Sequence, residues 1–316
     1  MPETTIIKTE ALTKYYGKNC GIENLNLEVQ TGEVFGFLGP NGAGKTTTIR
    51  LLLDLIRPTS GKATIFGYDT QRDSQKIHDR IAYIPGELEF QRNWTGGRTL
   101  NHMFKLYNHA VKWSVVEELA QHLKLDMQKK VHELSKGNKQ KIGIILALVP
   151  DVDLLILDEP TSSLDPLIKN EFYKLLAEKQ ADSGCTVFLS SHQLQEVEKV
   201  AHRVGIINQG SLIEVATLTQ LKRLALKHVE IKFASPTNTK NLPTNLKKNI
   251  KNLSAEDSTI SFLCVRQNLN TVFSWLQNVP FSDVDIRNPT LEDIFLEYYQ
   301  IESYENRLTN KQKEMN

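Results

Sequence analysis

The residues best suited to carry out chemistry lie in one glycine-rich stretch, Gly39-Pro40-Asn41-Gly42-Ala43-Gly44-Lys45-Thr46-Thr47. It fits the pattern G-x-x-x-x-G-K-[ST], in which backbone N–H groups turn inward around a phosphate. The lysine adds a point charge at the β- and γ-phosphates, and the first threonine offers a hydroxyl to Mg²⁺. An apolar strand pattern precedes the stretch, and a helical pattern follows it, with one face formed by Ile49, Leu52, Leu53 and Ile56. The stretch therefore predicts a site for the phosphates of a nucleotide.

A pair of carboxylates, Asp158 and Glu159, follows a run of aliphatic residues at 154–157. Such a run is typical of a strand that is buried on both faces of a parallel sheet. Ligands bind beyond the carboxyl ends of these strands. Asp158 suits Mg²⁺, directly or through water, and Glu159 could orient and polarise an attacking water. A solvated acidic turn is the alternative.

Three further positions combine a suitable residue type with a suitable place in the chain. Ser135 is a good helix N-cap, and with Gly137 it could make a second anion site, although an ordinary capped helix is the default interpretation of these residues alone. His192 follows an apolar strand at 185–189, so it is either a site residue at the same sheet edge or a structural histidine. Tyr16, in a predicted loop, could stack on an adenine ring or cover the core.

The composition bounds the class of protein. A chain of 316 residues suits two domains, and 40% hydrophobic with 24% charged residues is a globular mixture. The net charge of +1 provides no bulk field for nucleic acid, so no nucleic-acid partner is predicted. Three widely spaced cysteines, Cys20, Cys185 and Cys264, indicate a reducing compartment without disulfides.

The chain carries no pattern for entering a membrane. The first residues lack the basic and apolar regions of a signal peptide, and the apolar runs at 142–149 and 154–157 are too short to span a bilayer. If this protein acts at a membrane, we expect another chain to cross it.

Strand and helix patterns divide the chain into two parts. In the first part, residues 97–133 read as a helical insertion, and strands are predicted at 6–12, 25–29, 62–68, 81–85, 185–189, 204–207 and 212–215. Beyond residue 215 the composition shifts, and a small α+β domain of ferredoxin-like type is predicted. Its elements are helices at 217–226, 246–250, 269–276 and 288–299 and strands at 229–233, 259–265 and 284–286. We assign residues 1–216 to a nucleotide-binding domain, 217–300 to an accessory domain and 301–316 to a polar tail.

Together these motifs resemble the nucleotide-binding domain of ATP-binding cassette (ABC) transporters, in that family's order and spacing over residues 6–215. The resemblance implies an α/β fold, a P-loop NTPase with a RecA-like core, an antiparallel β subdomain and a helical insertion at about residues 88–141. It also implies roles. Residues 39–46 are similar to Walker A, 134–138 to the signature motif and 163–165 to the D-loop, which includes Asp165. Tyr16 matches the adenine-stacking aromatic, Asp158 the Walker B aspartate, Glu159 the catalytic glutamate and His192 the switch histidine.

The sequence departs from the family pattern at two places. Gly86-Glu87 stands where the family has a glutamine that contacts Mg²⁺ and couples to the membrane partner. Either Glu87 substitutes as a metal ligand beside Thr46 and Asp158, or the loop only couples. The signature reads LSKGN, so Lys136 and Asn138 are unusual, whereas Ser135 and Gly137 are intact.

The resemblance implies ATP and Mg²⁺ as cofactors, with Lys45, Glu159 and His192 in catalysis. It also implies a head-to-tail pair of ATP-binding subunits, identical or different, in which the signature of one chain caps the γ-phosphate held by the other. The end of the chain is similar to the exporter branch, whose ATPase subunits work with a separate permease at the cytoplasmic face of the membrane. The substrate cannot be read, because its contacts lie on the permease.

Two alternatives remain on the sequence alone. One is a soluble ABC ATPase of translation or DNA repair, although two cassettes per chain or a long coiled coil would then be expected. The other is a signalling module that dimerises with ATP without transport, an alternative kept open by the unusual residue Gly86.

Overall fold

A computed structural model describes residues 5–106, 111–223, 226–233 and 242–288. The chain forms two compact units, Met1–Leu218 and Thr219–Asn316. The predicted helix at 288–299 and the polar tail lie outside the described residues, apart from Asn288. Our assignment of functional domains, with its boundary at residue 216, stays a prediction.

The first unit alternates strands and helices. Its strands are β1 (Thr5–Tyr16), β2 (Asn19–Gln30), β3 (Val34–Leu38), β4 (Ser60–Ile65), β5 (Tyr68–Asp69), β6 (Ile81–Ile84), β7 (Leu154–Asp158), β8 (Thr186–Ser191), β9 (Arg203–Asn208) and β10 (Ser211–Thr217). Its helices are α1 (Lys45–Leu52), α2 (Ser74–His78), α3 (Gly96–Phe104), α4 (Trp113–His122), α5 (Lys136–Leu148), α6 (Pro166–Ser183) and α7 (Leu194–Val197). A further helix, α8 (Leu218–Arg223), begins at the boundary between the two units. Among the described residues, no helix has the length and apolar character needed to cross a membrane.

A six-stranded sheet in the order β10-β9-β3-β8-β7-β6 forms the centre of this unit. Its ladders are parallel except for the β9–β10 hairpin, and every residue of β3, β7 and β8 is buried. The register pairs Leu38 with Ser191 and Asp158 with Ser190. The carboxyl ends of three strands therefore meet where ligands bind in such sheets.

A second, antiparallel sheet has the order β2-β1-β4-β5. The prediction of one strand over residues 62–68 was wrong, because Phe66 and Gly67 have φ of 55° and 77° and make a tight turn between β4 and β5. Both residues lie in the left-handed region that two-residue hairpin turns require. β1 also runs further than predicted, so Tyr16 ends a strand instead of lying in a loop.

One apolar core joins both sheets to α1. Ile7, Leu27 and Ile49 pack in it with Phe35 and Phe188, whose rings stack with centroids 5.9 Å apart. Since truncating a buried phenylalanine to alanine costs about 3–5 kcal/mol, this core anchors β3 and α1. The glycine-rich loop lies between these two anchored elements.

The second unit is a βαββαβ domain. Its elements are β11 (Leu226–Lys232), α9 (Thr244–Lys247), β12 (Ile250–Glu256), β13 (Thr259–Val265), α10 (Leu269–Leu276) and β14 (Asp283–Arg287). The antiparallel order β12-β13-β11-β14 is the ferredoxin-like arrangement. The helix predicted at 246–250 was placed too far along the chain, because the observed helix α9 ends at Lys247. Ile250 instead begins strand β12, in which Ile250 packs against the core and Lys251 faces solvent.

Candidate active site

The glycine-rich loop connects β3 to α1 and leaves the start of that helix open. Gly44 has φ of 110°, and a Cβ there would lie 2.7 Å from the carbonyl oxygen of Gly21, so only glycine fits. Because Gly44 has no side chain to cap α1, the first N–H groups of the helix remain available to an anion.

A pocket of about 330 Å³ surrounds this helix start. Its lining comprises Tyr16, Cys20, Gly21, Asn41, Gly42, Gly44, Lys45, Thr46, Thr47 and Glu159. The volume lies in the range of small-molecule sites. Sequence reasoning missed Cys20 and Gly21, because they lie in β2 and reach the pocket only through the pairing of β2 with β1. A Cβ on Gly21 would approach the Tyr16 ring to 2.9 Å, so this glycine leaves room for the aromatic, whose side chain is half exposed.

Thr46, Asp158 and Ser190 form a chain of hydrogen bonds at the sheet edge. Thr46 Oγ1 donates to Asp158 Oδ2 over 2.8 Å, and Ser190 Oγ donates to Asp158 Oδ1 over 2.7 Å. Ser190 Oγ also accepts from the backbone N–H of Glu159 over 3.0 Å. The carboxylate of Asp158 is buried, and a buried carboxylate needs such partners on both oxygens. Ser190 is a site residue that the sequence showed only as part of the strand before His192.

Glu159 lies between a lysine and a histidine. Its Oε1 is 3.1 Å from Lys45 Nζ, and its Oε2 is 3.1 Å from His192 Nδ1. Lys45 is buried and also donates to the carbonyl oxygens of Gly39 and Pro40 over 2.7 and 3.0 Å. Glu159 has φ of 46°, a conformation that non-glycine residues adopt at a cost and that is common at functional sites. The structure thus brings the three predicted catalytic residues together.

Comparison with known proteins shows which family this chain belongs to. Residues 22–162 match the family model described as ABC transporter. The chain is 40% identical over 232 residues to the bacitracin transport ATP-binding protein BcrA of Bacillus licheniformis, covering 73% of this chain and 76% of that protein. This protein belongs to the ABC transporter family. It is an ATP-binding subunit, and it has the ATPase activity of the family. The resemblance drawn from the motifs is confirmed.

Further relatives support the same family, and solved structures share the fold. BcrA of Enterococcus faecalis is 35% identical, covering 71% of this chain and 73% of that protein. A solved ATP-binding subunit of an ABC transporter is 27% identical, with a TM-score of 0.62, and the match covers 69% of this chain and 92% of that chain. A dimeric ATP-binding cassette bound to ADP and Pi shares the fold at 22% identity and a TM-score of 0.60, with 67% of this chain and 99% of that chain covered. The predicted P-loop NTPase fold is therefore confirmed.

In this ABC subunit, the segment resembling the signature motif opens α5. Ser135 is the N-cap, and its side chain accepts from the N–H of Asn138 over 3.2 Å, while Ser135 and Lys136 are exposed. A Cβ on Gly137 would lie 2.4 Å from the carbonyl oxygen of Ser163, so α5 packs against the turn after β7. Of the described residues that line the phosphate pocket, none belongs to residues 135–138.

The residue matching the D-loop aspartate has a local structural task. Asp165 is the N-cap of α6 and accepts from the N–H groups of Leu167 and Ile168, each over 3.1 Å. The bond from Ile168, with that from Leu167, keeps the pKa of Asp165 below its ordinary value although desolvation opposes this. The side chain is thereby held as a carboxylate at the end of the turn that begins after Glu159.

In the loop after β6, Gly86 is the residue that lies beside the candidate active site. A Cβ on Gly86 would meet Asp158 Oδ2 at 3.5 Å, so Gly86 is the residue that adjoins the buried carboxylate. Glu87 lines a separate cavity of about 410 Å³, together with Leu88, Trp94, Met103, Gly143 and Leu146 among others. Burial, with a smaller contribution from the charge of Asp158, raises the pKa of Tyr83 at the end of β6 to about 12.

Proposed function

We propose that this ATPase powers an exporter whose membrane-spanning permease is a separate chain, and that it works at the cytoplasmic face of the membrane. The observation that carries the ATPase part of the proposal is the placement of Glu159 between Lys45 and His192, beside Asp158 and Thr46. One chain then holds the residues proposed to bind the phosphates and to act on the attacking water. The names of relatives support export: bacitracin transport at 40% identity, and daunorubicin/doxorubicin resistance in Streptomyces peucetius at 34%.

Lys45 and Glu159 have different roles in the proposed reaction. The Lys45 ammonium takes the β- and γ-phosphates, which frees the Glu159 carboxylate to orient the attacking water and accept its proton. His192 holds Glu159 through Oε2, 3.1 Å from its Nδ1. The N–H groups at the start of α1 stabilise the negative charge of the phosphates. Tyr16 stacks on the base.

The same pocket fits Mg²⁺. Thr46 Oγ1 and Asp158 Oδ2 are oxygen donors 2.8 Å apart, and Mg²⁺ is usually held by one or two carboxylates together with substrate phosphates. The ion would neutralise part of the negative charge of the phosphate groups. We assign Thr46 and Asp158 as its protein ligands, and we assign to Gly86-Glu87 a coupling role because Glu87 lines another cavity.

A second ATP-binding subunit completes the site. The start of α5, at residues 135–138, presents a capped helix end with an exposed lysine, which is a suitable cradle for a phosphate. Residues 135–138 are not among the described residues that line the pocket of their own chain. We therefore propose that they bind the γ-phosphate of the ATP held by the second subunit. Asp165 lies two residues after Ser163, whose carbonyl oxygen adjoins Gly137 of α5.

The test is capture of the permease. Tagged chain carrying Glu159→Gln is purified in mild detergent with ATP and Mg²⁺, and the co-purifying proteins are identified. We expect a multi-span membrane protein, whose yield falls when ATP is omitted or when Lys45→Ala is added. Ribosomes, DNA, or only copies of this chain would contradict the exporter and favour the soluble or the signalling alternative.

A second experiment tests the exported class. Cells that express the chain with the captured permease are challenged with bacitracin and with daunorubicin. The relative at 40% identity leads us to expect protection from bacitracin. Protection should disappear with Glu159→Gln and persist with a substitution of the exposed Glu178 to Gln. Equal susceptibility with and without the pair would contradict this substrate class.

A further inference from the structure

A buried polar cluster lies directly behind Glu159 and His192. Its members are Glu196 of α7, Thr161 of the turn after β7, Tyr173 of α6 and Ser191 at the end of β8, with exposed fractions of 7, 2, 3 and 3%. The mechanism proposed above uses none of them. The ABC motifs in the sequence do not include Glu196, and the sequence alone places it on an ordinary helix.

Glu196 is the common partner of the cluster. Its Oε2 accepts from Thr161 Oγ1 over 2.9 Å, from Tyr173 OH over 3.2 Å and from Ser191 Oγ over 3.3 Å. Its Oε1 accepts from Lys169 Nζ over 2.7 Å. One carboxylate therefore joins four elements that adjoin the active site.

The residues that contact Glu196 are connected through the backbone to Glu159 and His192. Thr161 lies two residues after Glu159 in a turn closed by the N–H of Ser162 on the carbonyl of Glu159 over 3.2 Å. Ser191 lies one residue before His192, and its hydroxyl accepts from the N–H of Gln193 over 3.0 Å. The hydrogen bonds that these two hydroxyls donate to Glu196 therefore fix the chain on both sides of the Glu159–His192 contact.

The charge of Glu196 suits this task. Burial raises its pKa, but the bonds from Lys169, Thr161 and Tyr173 outweigh burial, and the pKa stays below its ordinary value. The side chain is thus a carboxylate at neutral pH, which can only accept, and all four neighbours donate to it. Burial is also the main reason that the pKa of Tyr173 is raised, so its hydroxyl keeps its proton.

We infer that Glu196 is a positioning residue for ATP hydrolysis, which holds Glu159 and His192 in mutual register through Thr161 and Ser191. Glu196 touches neither nucleotide nor water in this scheme. The inference rests on the ATPase activity and is independent of which compound is exported.

The experiment compares Glu196→Ala and Glu196→Gln with a matched control, Glu33→Ala. Glu33 is also a buried carboxylate, 8% exposed and paired with Arg203 over 3.0 Å, but it precedes β3 at the end opposite the phosphate loop. ATP turnover gives kcat and KM, a fluorescent ATP analogue gives the affinity, and hydrogen exchange is followed in the peptide covering residues 159–165. Thermal unfolding shows that each variant is folded at the assay temperature.

We expect Glu196→Ala to lower kcat about 10- to 100-fold, because a misplacement of about 1 Å costs on that order. KM and the affinity for the analogue should change less than about threefold, since Lys45 and α1 are untouched. Exchange at residues 159–165 should accelerate. Glu196→Gln should restore most of kcat, because its amide oxygen can accept from Thr161 and Ser191. Glu33→Ala should leave kcat and this local exchange unchanged.

Several results would overturn the inference. They are an unchanged kcat and exchange in Glu196→Ala, a Gln variant as slow as the Ala variant, or an equal loss of kcat in Glu33→Ala. If Glu196→Ala fails to fold, Thr161→Val and Ser191→Ala each remove one arm of the cluster. Each must then lower kcat without changing the affinity for the analogue, and a normal kcat in both would reject the role.

Discussion

Glu159 Oε1 lies 3.1 Å from Lys45 Nζ, so the proposed catalytic carboxylate and the proposed phosphate-binding ammonium are direct partners. Lys45 is almost fully buried, and it holds this contact together with two backbone carbonyls. In the proposed reaction, a phosphate that binds Lys45 competes with Glu159 and releases the carboxylate toward water. This pair therefore links binding to the readiness of the general base.

Replacing Glu159 by Gln should lower ATP turnover about 10²–10⁴-fold, the range for loss of a general base. ATP should still bind, because Lys45 loses only a competing carboxylate. Steady-state hydrolysis and titration with a fluorescent ATP analogue measure the two quantities. Glu178→Gln, on the exposed face of α6, is the control. Turnover close to that of the unmodified protein would remove Glu159 from the role.

Replacing Lys45 by Met should weaken ATP binding about 10- to 100-fold, because hydrogen bonds to charged groups contribute about 1.5–3 kcal/mol. The same analogue titration measures the loss, and Lys62→Met is the control because Lys62 is exposed and pairs only with Glu10 among the ion pairs described. An unchanged affinity would mean that the phosphates bind elsewhere.

Replacing Ser190 by Ala should destabilise the protein by about 1–3 kcal/mol, the cost of leaving buried polar groups without a partner. The hydroxyl serves both Asp158 Oδ1 and the N–H of Glu159, so turnover should fall as well. Urea unfolding measures the free energy of unfolding. Ser183→Ala, at the exposed end of α6, should change it much less. Equal effects of the two substitutions would argue against the Ser190 contacts.

Replacing Gly137 by Ala should be costly, because the added Cβ would lie 2.4 Å from the backbone oxygen of Ser163. Overpacking of this kind costs about 1–3 kcal/mol and here would displace α5 from the turn before Asp165. Thermal unfolding and ATP turnover should both report it. Gly97→Ala, also in the first turn of a helix, places its Cβ 3.4 Å from the nearest atom and should be tolerated. A harmless Gly137→Ala would show that the helix start is free to move.

Stability should depend on pH through Glu196. Its pKa is lower in the folded chain than the ordinary value of 4.5, so its stabilising contribution is complete above that value and is lost as pH falls through the folded-state pKa. Glu196→Gln does not titrate there. The difference in Tm between the unmodified protein and this variant should therefore be largest at neutral pH and should shrink below pH 4.5. A difference that is constant with pH would contradict the assignment.

Features set by neighbouring residues could be predicted from the sequence, whereas features set by pairing between distant segments could not. The spacing of Gly39, Gly44, Lys45 and Thr46 predicts a phosphate-binding loop, and the helix cap at Ser135 follows from local hydrogen bonding. The strand over Thr259–Val265 and the helix over Leu269–Leu276 were predicted at their observed bounds, because their apolar periodicity is uninterrupted. The turn at Phe66 was missed because a phenylalanine rarely adopts the positive φ that it has there. The start of β12 at Ile250 was missed because it depends on β13, which pairs with it.

The sequence by itself determined the family and was enough to predict the phosphate loop and the candidate residues Lys45, Asp158, Glu159 and His192, because these lie in contiguous motifs with fixed spacing. Only the tertiary structure decided how they meet. The register of β7 with β8 sets Ser190 against Asp158, the fold of the following loop puts Gly86 beside that carboxylate, and the packing of α7 brings Glu196 behind the catalytic pair. These contacts join residues far apart in the chain, and no local pattern encodes which strand lies beside which.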